Sequence, residues 1–503
     1  MFSLGEIISL GLPLVLNFEV LLLALIGTLV GIFIGAMPGL TGVMAMSILI
    51  PLTYSMNATQ AFSLLLSTYV AGTYGGSISA ILLNIPGTGA AIMTTLDGYP
   101  MAQRGDAGKA IGLSCTYSFI GGTISGIFLA FLAPILALWA IKLGSREYFA
   151  VAIFGLGIIA YISPSILKGL LAGAIGLMLA TVGMDPISGY SRFLFKRVEL
   201  TGGFEFVAVM IGLFGLGEVF SVFSSGIKNR EKVEPNFGRI RPSLKELIST
   251  IPVTIRSTLV GLFIGIIPAS GPTIASVTSY GLEKRIGKKR DQLGTGIAEG
   301  LSAAETSNNA ATGAAIVPMI ALGIPGDSVT AILIGALLIH GLKPGPAMFI
   351  MNPDIVSSIF ILFLLGNLLF FIIGMSGAKL FARLLNTPPK ILMPIITIFC
   401  FVGTYAVRTS IFDVYVAIAF GFIGLLMRKG KMPIAPMILG FILGPIVEEN
   451  LRRSLIISGG RVAAFFERPV SAILLSMTII LLISPYLFKF FGKKKRVKFT
   501  EIS

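Results

Sequence analysis

The 503-residue chain has one histidine, one tryptophan and two cysteines, and only 12% of it is charged. Each scarcity excludes something. A lone imidazole, His340, cannot build a histidine-based metal centre. Two cysteines, Cys115 and Cys400, both in apolar segments and without a CxxC, give neither a disulfide framework nor a thiolate cluster. So little charge cannot cover the surface of a soluble globule when 55% of the residues are hydrophobic and the mean hydropathy is +0.92. GxSxG and HExxH are absent, and Pro325-Gly-Asp327 lacks the GxGD spacing of intramembrane aspartyl proteases, which argues against an enzyme. Met1 to Gly5 carries no basic segment, so a cleaved signal peptide is not expected.

What is present is apolar sequence in many runs that approach the roughly 20 residues needed to cross a bilayer. Sixty glycines and 26 prolines punctuate them. Glycine lets membrane helices approach closely, and proline breaks are tolerated where protein or a cavity satisfies the freed backbone. The expected fold class is an all-α polytopic membrane protein. The net charge of +15 does not indicate nucleic acid. Lys and Arg cluster between apolar spans, at 228–256, 284–290, 428–431, 452–468 and 489–498, which is the pattern of cytoplasmic loops facing anionic headgroups.

The stretch Thr28-Leu-Val-Gly-Ile-Phe-Ile-Gly-Ala-Met-Pro38 returns as Thr258-Leu-Val-Gly-Leu-Phe-Ile-Gly-Ile-Ile-Pro268, with eight of eleven positions identical. Each copy is an apolar helix stopped by a proline. A second break follows each copy, at Ile85-Pro86-Gly87 and at Ile324-Pro325-Gly326. A duplicated membrane unit with breaks in matching places is the mark of a secondary transporter. The chain therefore divides into a first half at 1–225, a basic cytoplasmic linker at 226–256, a second half at 257–490 and a basic cytoplasmic tail at 491–503. Basic loops flank the pair 257–282 on both sides, whereas the matching pair 18–54 has no nearby Lys or Arg. The two copies are thus expected to be inverted, with re-entrant arms folded at Pro38 and Pro268. By the same reasoning residues 432–446, between two basic loops, read as a hairpin bent around Pro436 to Gly440.

Polar residues at membrane depth mark candidate sites. One run is Thr73-Tyr-Gly-Gly-Ser-Ile-Ser-Ala-Ile-Leu-Leu-Asn-Ile-Pro-Gly-Thr88. The other is Glu299-Gly-Leu-Ser-Ala-Ala-Glu-Thr-Ser-Asn-Asn309, continuing to Gly323-Ile-Pro-Gly-Asp-Ser328. A helix that restarts after Pro-Gly aims its orphan N–H groups and positive dipole end into the break, which suits an anion. The carbonyls of the preceding helix end suit a cation. Ser77, Asn84, Gly87, Thr88, Gly326 and Ser328 are the expected substrate contacts. Asn84, Glu305, Asn308 and Asn309 are the expected contacts of a sodium ion or proton. Gly75, Gly76, Ser77 and Ala80 also read as small-residue packing. Glu299 also reads as an interfacial acid, and Asp327 equally as a helix N-cap. Arg408 and Asp413 could pair, Arg452 and Arg453 read as topological charge, and Asp97 is expected at an aqueous end.

With these motifs in view, the chain resembles the large membrane subunit of the tripartite tricarboxylate transporters across roughly residues 18 to 470. The resemblance rests on residues 74–88 and on Asp97-Gly-Tyr-Pro-Met-Ala102. It rests further on Val182-Gly-Met-Asp-Pro186, Glu299-Gly300 with Asn308-Asn309, Leu322-Gly-Ile-Pro-Gly326, Gly341-Leu-Lys-Pro-Gly-Pro346, Phe412-Asp-Val414 and residues 439–448. Met37, Gly89, Ala304 and Asp327 stand where leucine, proline, proline and serine are usual, and Ala269-Ser270 replaces the glycine expected after Pro268. The resemblance implies a multi-pass permease of the cytoplasmic (inner) membrane driven by a cation gradient, with no other cofactor. It implies a small membrane subunit and an extracytoplasmic solute-binding protein as partners, the latter delivering a citrate-like carboxylate. The chain lacks the GxxxxGK[ST] loop of an ATP-driven pump, in keeping with that. A stand-alone permease or a channel for another small organic solute is the alternative.

Overall fold

A computed structural model describes residues 3–225, 237–268, 270–385 and 387–490. Helix dominates, and nine helices among the described residues are long and apolar enough to cross a bilayer. In the first half come α1 (Leu4–Val15), α2 (Phe18–Ala36), α3 (Gly42–Leu49), α4 (Ala58–Leu83), α5 (Thr94–Gln103), α6 (Ala107–Ala140), α7 (Ser145–Ile162) and α8 (Ile166–Ala180). A short antiparallel pair, Gly183–Met184 with Ser191–Arg192, leads to α9 (Phe206–Ser225). In the second half come α10 (Leu244–Ile266), α11 (Gly271–Ile286), α12 (Ala298–Leu322), α13 (Ser328–Ile339), α14 (Pro346–Met351), α15 (Pro353–Leu384), α16 (Pro389–Arg408), α17 (Ile411–Lys429), α18 (Ile434–Ile457) and α19 (Pro469–Phe490).

The duplication extends to backbone detail. A residue before proline is pushed out of the α region. Met37 and Ile267 are accordingly extended, with ψ of 113° and 119°, and their N–H groups donate to Ile34 and Ile264 at 3.1 Å in both halves. At the second break α4 ends on Asn84 (φ 56°) and α12 on Gly323 (φ 72°), both left-handed. Helix packing is duplicated too. α2 lies along α4, and a Cβ at Gly35 would stand 2.3 Å from the Gly72 carbonyl oxygen. α10 lies along α12, and a Cβ at Gly261 would stand 2.4 Å from the Ser307 carbonyl oxygen. Only glycine allows backbones this close.

Three expectations change. α10 starts at Leu244, so residues 244–256 are helix rather than linker. The Ser243 and Glu246 capping box starts it: Ser243 Oγ accepts from Glu246 N, and Glu246 Oε2 accepts from Ser243 N. Residues 226–236 and the basic tail 491–503 lie outside the described residues. Second, α1 precedes the first expected span, and Gly11 packs on the backbone of Ser357 and Ser358 in α15. Third, the expected hairpin at 432–446 does not form. α18 runs as one unbroken helix of 24 residues, with Pro445 in its interior, about 36 Å at 1.5 Å per residue. Pro436 sits in its first turn, where a missing N–H interrupts no helical bond. Arg452 misled the charge reasoning because it is paired: it binds Asp185 at 2.6 Å and Glu448 at 3.3 Å, and Arg192 binds Glu448 at 2.6 Å. Two arginines and two acids balance. The N–H groups of Ser188 and Ile187, helped by Arg452, hold Asp185 well below the usual carboxylate range.

Candidate functional site

All four breaks open on one cavity of about 410 Å³. Residues 41–43 at the start of α3 and 88–90 after Pro86 come from the first half. Residues 270–274 at the start of α11 and 327–329 at the start of α13 come from the second. Tyr69, Gly72 and Thr73 of α4 form one wall. The turn at Ser163 and Pro164 after α7, with Pro433, Ala435 and Pro436 of α18, forms another. Among the described residues the lining carries one acid, Asp327, and no Lys, Arg or His.

The starts of α3 and α13 are anchored by their own caps. Thr41 Oγ1 accepts from Met44 N at 3.2 Å. Asp327 Oδ1 accepts from Thr330 N at 2.7 Å and from Thr330 Oγ1 at 2.8 Å, and Asp327 Oδ2 accepts from Tyr69 Oη at 2.6 Å. Tyr69 is a cavity residue that sequence reasoning missed. It lies within an ordinary apolar run, and only the fold brings it to Asp327.

A polar layer backs the cavity. Glu305, Asn308 and Asn309 are fully buried on α12, and their i, i+3, i+4 spacing puts them on one face. Glu305 accepts from Thr94 Oγ1, and from Ser118 Oγ at 2.8 Å. Among the described residues no Lys or Arg forms an ion pair with it. Asn308 Nδ2 donates to the Ala90 carbonyl at 3.4 Å, and Asn309 Nδ2 to the Val70 carbonyl at 3.5 Å. Ala90 itself lines the cavity. Both Oδ1 atoms are buried without a hydrogen-bond partner. Buried acceptors and a buried carboxylate left without a cation are costly unless something fills the role.

Of the expected substrate contacts, Thr88 and Ser328 line the cavity, and Thr88 Oγ1 has no hydrogen-bond partner. Gly87 and Gly326 instead pack the breaks against their own halves: added Cβ atoms would stand 2.0 Å from the Gly35 carbonyl oxygen and 2.6 Å from Ala315 Cα. Ser77 donates to the Tyr74 carbonyl and accepts from Ser114 Oγ at 2.7 Å, joining α4 to α6. Asn84 is exposed and outside the cavity lining. It is the counterpart of Gly323, a helix-ending residue that must be left-handed, and asparagine tolerates that conformation. Asn84→Gly is therefore expected to change stability by less than about 0.5 kcal/mol and to spare uptake, while Asn84→Val destabilises by about 1–2 kcal/mol. Melting curves and uptake rates check both.

Asp97 is fully buried rather than open to water. It accepts from Tyr280 Oη at 2.7 Å and from the N–H groups of Gly294, Gly296 and Ile297 at 2.8–3.1 Å. α5 thereby holds the entry to α12 in place. Asp97→Ala strands four donors and is expected to cost about 3 kcal/mol or more, read as a lowered melting temperature of the purified chain. Glu299 takes the interfacial role, paired with Lys289 at 2.6 Å. Arg408 and Asp413 do pair, at 2.9 Å, with Glu205 at 3.1 Å from the same guanidinium.

A second cavity, of about 610 Å³, lies at the other ends of α7 and α18, lined by Tyr148, Lys343, Asn450 and Arg453 among others. Between the two cavities sits an apolar cluster of Ala152, Ile324, Leu443 and Val447, backed by Phe149 and Leu177. Along α7 the second cavity touches residues 145 and 148, the apolar cluster holds 149–156, and the first cavity touches 159 and 162.

Duplicated broken helices meeting at a cavity inside a polytopic bundle define a membrane transporter rather than an enzyme. The chain matches the family model of the tripartite tricarboxylate transporter TctA family over residues 21–439, and it belongs to that family. It is 35% identical over 499 residues, covering 99% of both chains, to an uncharacterized 52.8 kDa protein in the TAR-I ttuC' 3' region of Agrobacterium vitis. It is 37% identical over 238 residues, 47% of this chain and 98% of the relative, to an uncharacterized protein in the TAR-II ttuC' 3' region of the same organism. No solved structure matches.

Proposed function

We propose that the chain is the permease of a cation-coupled carboxylate importer, working by alternating access around the cavity at the breaks. The observation that carries this reading is that breaks from both halves share one cavity, backed by a buried carboxylate without a cationic partner among the described residues. The restarting ends of α3, α11 and α13, with Thr88 and Ser328, would receive the substrate carboxylates. Glu305 and the unpaired Oδ1 atoms of Asn308 and Asn309 would receive sodium or a proton. Asn84 drops out of this set because it stands outside the cavity.

The two halves are inverted in this reading. The cavity opens towards the turns bearing Lys168, Lys429 and Lys431, where Lys168 Nζ donates to the Gly430 carbonyl at 2.6 Å. These lysines favour a cytoplasmic mouth in this reading. The layer around Ile324 and Leu443 then closes the extracytoplasmic side, and the cavity beyond it is the vestibule. The membrane is the cytoplasmic one. A small membrane subunit and an extracytoplasmic binding protein would deliver the solute. A channel is disfavoured because an apolar layer bars the route. Uptake of labelled citrate into vesicles carrying all three subunits, with and without a sodium or proton gradient, tests the reading. Gradient-driven, saturable uptake with counterflow supports it. Non-saturable flux would support a channel, and uptake indifferent to both gradients would end the coupling proposal.

A further inference from the structure

Asp327 sits in the wall of the cavity where substrate carboxylates would lie. It is 9% exposed, and among the described residues the lining holds no Lys, Arg or His to neutralise it. The starts of α3, α11 and α13 each contribute roughly +0.5 charge, and Asp327 removes most of that sum. A fully ionised tricarboxylate would bring three negative charges to a wall that is close to neutral. The Asp327 carboxylate also has unused capacity. A carboxylate offers about four acceptor positions. Thr330 N and Thr330 Oγ1 bond Oδ1, Val329 N–H also engages the carboxylate, and Tyr69 Oη takes one position on Oδ2. The open position on Oδ2 calls for a donor, and an open cavity supplies one only through water or solute.

We propose that Asp327 is a specificity determinant: it admits carboxylates of at most two negative charges that carry a hydroxyl or ammonium donor, and it disfavours tricarboxylates. This rests on the carboxylate reading of the cavity and narrows its substrate class.

The test is binding to the purified full-length chain, by ligand-induced thermal stabilisation and calorimetry, with succinate, malate, aspartate, tricarballylate and citrate. Asp327→Ser and Asp327→Asn are compared with the parent chain. Both replacements are good N-caps, so α13 keeps its start, and unchanged melting temperatures without ligand verify that. The parent chain is expected to bind malate or aspartate at least about tenfold more tightly than succinate, since a site built for a donor rejects ligands lacking it, and more tightly than citrate, whose third carboxylate meets the charge of Asp327. In Asp327→Ser the malate-over-succinate preference falls towards one, and citrate gains about tenfold. An unchanged ranking in both variants overturns the proposal and leaves the carboxylate reading standing, as does a parent chain that prefers citrate. Absence of binding by every carboxylate overturns both.

Discussion

Uptake by the Glu305→Gln chain is expected to fall by about 100-fold while the protein still folds, because losing a buried charge partner costs about 3 kcal/mol and every 1.4 kcal/mol is tenfold. Glutamine keeps the size of the side chain and an acceptor oxygen for Ser118 or Thr94. It removes the negative charge and turns the other acceptor into an NH2 donor. The two hydroxyl donors on Glu305 stabilise a carboxylate but do not neutralise it. No Lys or Arg is ion-paired to it among the described residues, and in the proposed coupling the neutralising charge arrives with the ion. Asn309→Ala is expected to act in the same direction and more weakly, since it removes a neutral Oδ1 ligand and also frees the Val70 carbonyl. The measurement is initial uptake rate against sodium concentration and pH, with melting temperature as the folding control. Normal uptake by Glu305→Gln would show that the buried carboxylate is only structural.

Thinning the apolar layer is expected to open the cavity to the wrong side. Replacing both Ile324 and Leu443 with alanine deletes several buried methyl groups, and each such truncation in a packed core costs about 2–5 kcal/mol. That loss weighs on the closed arrangement in particular, because Ala152, Ile324, Leu443 and Val447 pack together there. An extracytoplasmically open state should gain at least about tenfold in population, the equivalent of 1.4 kcal/mol. The native cysteines are both buried, which gives labelling a low background. A cysteine introduced at Thr273 should react with an impermeant thiol reagent applied from the extracytoplasmic side about ten times faster in the double-alanine chain than in its parent. Accumulation against a gradient should fall with it. Equal labelling before and after thinning would mean that the layer is not a gate.

The breaks were legible because proline and glycine announce them chemically. Pro38, Pro86, Pro268 and Pro325 each disfavour continued helix, and the repeated octet of identities around Gly31 and Gly261 announces the duplication. Which side chains face the cavity was far less legible. Asn84 stood beside a break and looked functional, yet its place is dictated by the left-handed backbone at a helix end. Ser77 and Gly87 belong to a polar, small-residue run whose purpose is close packing. Tyr69 carried no signal, since a tyrosine in an apolar helix gains a role only when Asp327 is folded against it. Asp97 and Arg452 were misplaced for one shared reason. A charge paired with backbone N–H groups or with distant acids no longer reports where water is, and neither partner is near in sequence. Glu305, Asn308 and Asn309 were legible because burial of such residues at membrane depth is costly enough to imply partners.

The central claim is that breaks from both halves of the chain enclose one solute cavity. Its most direct test places single cysteines at Thr88 and at Thr273, one in each half, and measures protection from a thiol reagent by a transported carboxylate. Both positions should be protected, with the same half-maximal solute concentration and the same dependence on the coupling ion. Protection of one position alone, or different half-maximal concentrations at the two, would contradict a shared site.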